Sequence, residues 1–77
     1  MTELLTIGPV HNITQNTVYA LPARQVFVFA TDAVEVSNEI GASFTALTGA
    51  DTVGALTSAT WIRCTGAGGT ELTLKAS

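Results

Sequence analysis

The 77-residue chain predicts an all-β fold, a small antiparallel β-sandwich or barrel of six to seven short strands. Three observations support this prediction. Threonine, valine and aromatic residues, which favour pleated strands, occur in short runs. Glycine, proline and asparagine separate the runs at intervals of about 8–12 residues. No stretch has the apolar spacing of a helix. The length allows a single domain, which we place over residues 1–77.

A turn signal bounds each predicted strand. The first segment, 2–7, is either a short strand or part of an extended N-terminal arm over 1–16, and it ends at Gly8 and Pro9. The polar stretch 11–16 is turn-like. The strongest strand is 24–30, which contains Val-Phe-Val-Phe. The full set of predicted strands is 2–7, 17–20, 24–30, 33–37, 43–48, 57–65 and 70–76. The alternation of the last strand predicts that Leu72 and Leu74 face inward and that Glu71, Thr73 and Lys75 face outward.

Two connections between predicted strands differ in how clearly the sequence indicates their structure. Small residues over 49–54 indicate a loop, but the alanines and leucine of 46–56 also suit a helical turn. The Gly-Ala-Gly-Gly run at 66–69 predicts a tight hairpin between the last two strands. That run lacks the lysine and the following helix of a phosphate-binding loop.

Two strands leave one face unexplained. Residues 26–29 are apolar on both faces, so the second face needs a cover: the N-terminal arm, a second sheet in a closed barrel, or another molecule. In the strand 57–65, Ile62 and Cys64 alternate with Trp61 and Arg63. Either the first pair points inward and Trp61 belongs to an interface, or Trp61 is buried and Ile62 is exposed. Both registers fit the sequence.

The sequence contains no set of residues with the types and spacing of a catalytic, cofactor or metal site. We therefore predict that the chain is not an enzyme and binds no cofactor or metal. Cys64 and His11 are the only residues of their types, which excludes an internal disulfide and a zinc cluster. Asp32, Glu35 and Glu39 lie close in sequence and, with Asp51, would make a weak calcium site, but a solvated acidic patch explains them better.

Charge and hydropathy make two classes of partner unexpected. The formal net charge is -3 and only three cationic residues are present, so nucleic-acid binding is not expected. The longest strongly apolar run, 26–30, is far shorter than the roughly 20 residues that span a bilayer, so no membrane association is expected.

The low charge indicates covered surfaces. Charged residues form 12% of the chain, against about 25% in typical soluble domains. Surfaces covered by other protein explain this low fraction, although a threonine-rich sheet facing water would also produce it. With no disulfide or metal, oligomerisation is the remaining support for so small a domain, although some domains of this size fold alone.

Four segments carry a resemblance to a known family: Ala-Leu-Pro-Ala-Arg at 20–24, Val-Glu-Val-Ser at 34–37, Ala-Thr-Trp-Ile-Arg-Cys-Thr at 59–65 and Leu-Thr-Leu at 72–74. With these segments the chain resembles small structural proteins of tailed bacteriophages, in particular head decoration (cement) proteins. The resemblance implies a virion component on the capsid surface, made in the bacterial host cytoplasm. It also implies binding to the major capsid protein and self-association into a homo-oligomer, with a trimer expected. Many copies would strengthen the shell through avidity.

The candidate interface residues are the apolar, aromatic and cationic side chains of the N-terminal segment and of the two unusual strands. They are Leu4, Leu5, Ile7, Tyr19, Arg24, Phe27, Phe29, Trp61 and Arg63. Two other functions compete with capsid decoration. One is a phage tail, neck or fibre protein, and the other is a small carbohydrate-binding module with Trp61 and Tyr19 as its sugar platform.

Overall fold

Two four-stranded antiparallel sheets pack face to face in the computed structural model, which describes residues 2–38 and 43–77. The first sheet has the order β1-β8-β3-β6 and the second has the order β2-β7-β4-β5. The strands are β1 (Val10–Ile13), β2 (Tyr19–Ala20), β3 (Val26–Ala30), β4 (Val34–Ser37), β5 (Thr45–Ala46), β6 (Ala55–Thr57), β7 (Trp61–Cys64) and β8 (Thr70–Ala76). The predicted small all-β fold is confirmed. No helix in the described ranges is long and apolar enough to cross a membrane.

The core lies between the sheets and is built by strand alternation. Val26 and Val28 of β3 point inward from the first sheet, and Ile62 of β7 points inward from the second; none of the three exposes any side-chain surface. Leu72 and Leu74 of β8 are equally buried, as the alternation of the last strand predicted. Burying a side chain of this size contributes about 1.5–3 kcal/mol, so each of these five residues contributes substantially to stability, as does the fully buried Leu5.

Residues 2–38 and 43–77 contain eight strands, whereas the sequence predicted six to seven. Six predicted segments each contain a strand, and β1 and β6 are additional. The strand β1 lies partly in the polar stretch predicted as a turn. It forms because its four residues pair with β8, in the register from Val10 with Thr73 to Ile13 with Thr70. Only Ile13 of β1 is buried, so local propensity carries little of this signal. The strand β6 follows directly after the loop 49–54.

The predicted hairpin over 66–69 is wrong. Strand β7 pairs with β2 and β4 in the second sheet, whereas β8 pairs with β1 and β3 in the first. The glycine run therefore carries the chain from one sheet to the other. Gly69 has φ 74°, and a β-carbon there would lie 2.5 Å from the carbonyl oxygen of Ile13. Glycine is required at this position by a close backbone approach in a crossover, rather than by a hairpin turn.

Residues 2–16 do not form a free arm. The backbone N–H of Leu5 donates to the carbonyl of Ala20 (2.9 Å), and the N–H of Ala20 donates to the carbonyl of Glu3 (2.8 Å). The N–H of Gly8 donates to the carbonyl of Leu74 (3.1 Å). The first residues thus extend the edge of the second sheet beside β2, and the chain then crosses to the edge of the first sheet. Residues 2–16 are therefore part of the sandwich, hydrogen-bonded to the edges of both sheets, and do not form the predicted extended arm.

A threonine hydroxyl joins the turn between β3 and β4 to β8. The Thr70 Oγ1 accepts from the backbone N–H groups of Thr31 and Asp32, both at 2.9 Å. The Thr31 Oγ1 in turn accepts from the N–H of Glu71 (3.1 Å). Thr70 is 6% exposed, so its hydroxyl is largely shielded from water. The N–H of Thr31 also donates to the carbonyl of Glu71 (3.1 Å), so the N–H of Asp32 is the donor that depends on this hydroxyl, and leaving it unpaired would be costly.

Candidate interaction surfaces

The outer face of the first sheet presents apolar side chains in two adjacent rows. Phe27 pairs with Leu56 on one side and with Lys75 on the other. Phe29 pairs with Thr73, which pairs with Val10. Residues that face each other across antiparallel strands project from the same side of a sheet. We call this surface, formed by Val10, Phe27, Phe29, Leu56, Glu71, Thr73 and Lys75, the Phe27 face.

Three of the apolar side chains on the Phe27 face are open to solvent. Val10 is 59% exposed, Leu56 is 45% exposed and Phe27 is 38% exposed, while Phe29 is half-buried. They come from three different strands. Leu56 pairs directly with Phe27, whereas Val10 lies on the far side of β8 and joins the patch through Thr73 and Phe29. Contiguous exposed apolar patches on small proteins often mark contacts with other molecules.

The second side of 26–29 is covered only in part by its own chain. A β-carbon at Gly54 would overlap the ring of Phe29, so the backbone of Gly54 lies against that ring. The Lys75 ammonium lies 5.1 Å from the centre of the same ring. The rings of Phe27 and Phe29 are 6.4 Å apart and tilted by 41°. Neither the N-terminal segment nor the second sheet covers Phe27, and its ring keeps an open side.

Two opposite charges flank the centre of the Phe27 face. Glu71 and Lys75 project outward from β8 on either side of Thr73, and both are exposed. Within the described residues neither side chain forms an ion pair, since the ion pair found there joins Arg63 to Glu35. The face is therefore apolar with one unpaired charge of each sign.

The outer face of the second sheet carries Trp61, which settles the register of that strand. Ile62 and Cys64 point inward with no exposed surface, and Trp61 and Arg63 project outward, each half-buried. Trp61 pairs with Ala20 on β2, and Leu4 lies beside Ala20 through an isolated bridge. Leu4 is 58% exposed. We call the surface formed by Leu4, Ala20, Glu35, Phe44, Trp61 and Arg63 the Trp61 face.

The cation of the Trp61 face is already engaged. The Arg63 Nε donates to the Glu35 carboxylate across the β4–β7 pair. The Arg63 guanidinium also lies 4.2 Å from the centre of the Phe44 ring. Arginine stacked on an aromatic ring and paired with a carboxylate is held in one orientation. A partner on this face would meet a fixed, neutral pair rather than a free charge.

The predicted interface residues do not form one surface, and two of them are in the core. Leu5 is fully buried, and Tyr19 is 7% exposed with its hydroxyl accepting from the N–H of Thr14 (3.0 Å). Both assignments are corrected: these side chains stabilise the domain and are closed to a partner. The exposed side chains of Ile7 and Arg24 lie outside the strands, on connections. The remaining five divide between the two outer faces: Phe27 and Phe29 on one, and Leu4, Trp61 and Arg63 on the other.

Sequence reasoning missed five members of the Phe27 face: Val10, Leu56, Glu71, Thr73 and Lys75. The outward position of Glu71 and Lys75 was visible in the alternation of the last strand, but nothing in that strand showed which neighbours they would have. Val10 follows the Gly8-Pro9 break, and Leu56 lies in the segment with the most ambiguous pattern. Only the strand pairing brings these residues together.

The side chains that could act as a nucleophile, a base or a metal ligand have hydrogen-bond partners within the domain. The Cys64 thiol is buried, and its Sγ accepts from the N–H of Gly66 (3.3 Å). His11 is bonded through Nε2 to the Thr6 backbone, 2.9 Å from its carbonyl oxygen. Arg63 projects from the face of β7 opposite to Cys64. Among residues 2–38 and 43–77 no three histidine, cysteine or acidic side chains gather as metal ligands would, and Glu39 lies outside these ranges.

One polar groove lies at the end of the sandwich. Its volume is about 550 Å³, and it is bounded by 12–15, by Thr31 and by the segment 67–71. Amide, hydroxyl and backbone groups line it together with the Glu71 carboxylate, and no aromatic ring contributes. Sugar-binding platforms rely on aromatic rings, so this groove lacks their main feature. The burial of Tyr19 likewise removes one of the two aromatic residues assigned to a sugar platform.

Comparison of the chain with protein family models, curated protein sequences and solved structures found no match.

Proposed function

We propose that this protein is a structural subunit that acts through protein–protein contacts, as a decoration protein on the head of a tailed bacteriophage. In this role it binds the major capsid protein on the outer surface of the virion and associates with copies of itself. The observation that carries the assembly function is the Phe27 face, where exposed apolar side chains from three strands lie on one side of a sheet and Phe27 pairs directly with Leu56. The phage setting rests on the resembling sequence segments.

The two outer faces suit a subunit that bridges neighbours. The Phe27 face and the Trp61 face lie on opposite sides of the sandwich, because each is the outward side of one of its two sheets. A subunit with two separate contact surfaces can bind another copy with one and the shell with the other. Each contact can then be weak, because a symmetric assembly on a repeating lattice multiplies the contacts.

The test of this function is the location of the chain in particles. We expect the wild-type protein to co-sediment with particles purified from cells that produce it, and to appear in cryo-electron microscopy as density over the junctions between capsid subunits. Density at the tail, the neck or a fibre would instead support the competing phage location. Absence of the chain from every particle fraction, at normal expression, would overturn the virion function.

A further inference from the structure

We infer that the Phe27 face binds the Phe27 face of a second copy of this chain, around a two-fold axis that crosses the strands near Thr73. This inference deepens the proposed function and rests on its self-association, because it names the surface used and the symmetry. It differs from the trimer that the family resemblance implies.

The first support is the arrangement of charge on β8. Glu71, Thr73 and Lys75 are successive outward residues, so the two charges lie about 6.8 Å on either side of Thr73. A two-fold axis across the strands at Thr73 reverses the strand direction in the second copy. Each Glu71 then faces the Lys75 of the other copy, and both ion pairs form at once.

The same charges disfavour a two-fold axis that runs along β8. Such an axis would keep the strand direction and would set Lys75 against Lys75 and Glu71 against Glu71. Like charges placed opposite each other in an interface are strongly unfavourable. Of the two axes through Thr73, along the strand or across it, the charges favour the one that crosses the strands.

The second support is the apolar row that contains the axis. Val10, Thr73 and Phe29 lie side by side through the register, so this row would stack on its own copy. Stacked sheets pack about 10 Å apart with strand directions within about 30°. A rotation of that size shifts a residue about 6.8 Å from the axis by about 3.4 Å, which the long side chains of Glu71 and Lys75 can span.

The ammonium of Lys75 is already positioned on the Phe27 face. Its ammonium lies 5.1 Å from the centre of the Phe29 ring, which holds the cation over the face. Neither Lys75 nor Glu71 has an ionic partner in the described part of the chain. A second copy provides both missing partners. Phe27, which lies in the same row as Lys75, would then lie against the Glu71 end of the other copy's face.

The area of the Phe27 face determines the affinity that we expect for the dimer. Four strands about 4.8 Å apart and about five residues long give a projected area on the order of 300–400 Å² per copy. Stable complexes bury about 800 Å² per partner, so the isolated dimer should be weak and dependent on concentration. Lattice attachment would supply the remaining affinity through avidity.

The experiment uses two charge reversals, Glu71→Lys and Lys75→Glu, in the full chain at low ionic strength. Sedimentation velocity over a concentration series should show a monomer–dimer equilibrium for the wild type and a dissociation constant at least about tenfold higher for each variant alone. An equimolar mixture of the two variants should dimerise again, because every cross-interface pair is then opposite in charge. Native mass spectrometry with one variant isotopically labelled should identify the heterodimer.

Arg24→Glu is the matched control. It makes the same charge change as Lys75→Glu on an exposed residue outside the Phe27 face, so its dimerisation should equal that of the wild type. A wild type that stays monomeric at all concentrations would overturn the inference. So would a mixture that fails to dimerise, or a control that dissociates as much as Lys75→Glu. A monomer that still binds particles would leave the proposed function standing, whereas a dimer absent from particles would overturn the function alone.

Discussion

Replacing Gly69 with alanine tests the crossover that joins the two sheets. At φ 74° an L-residue costs about 1–2 kcal/mol relative to glycine. The new β-carbon would also lie 2.5 Å from the carbonyl oxygen of Ile13. That oxygen belongs to β1, whose pairing of Ile13 with Thr70 prevents an easy retreat. Forcing atoms into such a closely packed site costs typically about 1–3 kcal/mol. We therefore expect Gly69→Ala to lower the free energy of unfolding by about 2–5 kcal/mol.

Such a loss is large for this chain. A domain of 77 residues is stable by about 4–12 kcal/mol. The melting temperature should therefore fall by roughly 10–30 °C. Urea unfolding followed through the fluorescence of Trp61, the single tryptophan, measures the change, and circular dichroism of the strands provides a second probe.

Substitutions at two other glycines separate the cost of the positive φ from the cost of the close contact with Ile13. Gly68 has no positive φ, and no atom lies within 4 Å of the position that a β-carbon would take there, so Gly68→Ala should change stability by less than about 0.5 kcal/mol. Gly8 has φ 117° and equally open space, so Gly8→Ala should show the conformational cost alone, about 1–3 kcal/mol. If Gly69→Ala unfolds at the same urea concentration as Gly68→Ala, the close approach of the crossover to β1 is refuted.

Three further substitutions or reactions probe the interior and the Trp61 face. Thr70→Val removes the acceptor of the Asp32 N–H and one of two acceptors of the Thr31 N–H, and it should cost about 1–3 kcal/mol in urea unfolding, whereas Thr73→Val on the same strand should have little effect; equal losses would contradict the hydroxyl network. Ile62→Ala should cost about 2–5 kcal/mol, whereas half-buried Trp61→Ala should cost less and instead reduce particle binding; collapse of the Trp61→Ala fold would show that Trp61 is a core residue. The Cys64 thiol should react with a thiol reagent only as fast as the domain opens, so rapid labelling of native protein would contradict its burial.

Strand alternation made part of the fold predictable from sequence. The inward positions of Leu72 and Leu74 followed from period two, and the run at 26–29 identified the central strand of the first sheet. The candidate surfaces were only partly predictable. Phe27, Phe29, Trp61 and Arg63 lie on outer faces, but Leu5 and Tyr19 are core residues. An isolated apolar residue in a short strand has no periodic context that separates inside from outside.

The sequence by itself determined that this chain forms short strands, where most of them lie, and that its single cysteine and single histidine provide neither a disulfide nor a zinc cluster. These properties depend on residue type and local spacing. Only the tertiary structure decided which strands pair. It placed β7 and β8 in different sheets, made β1 a strand through its pairing with β8, and brought Val10, Phe27 and Leu56 onto one face. The physical reason is that sheet hydrogen bonds join residues far apart in sequence, so local pattern sets the faces of a strand but not its neighbours.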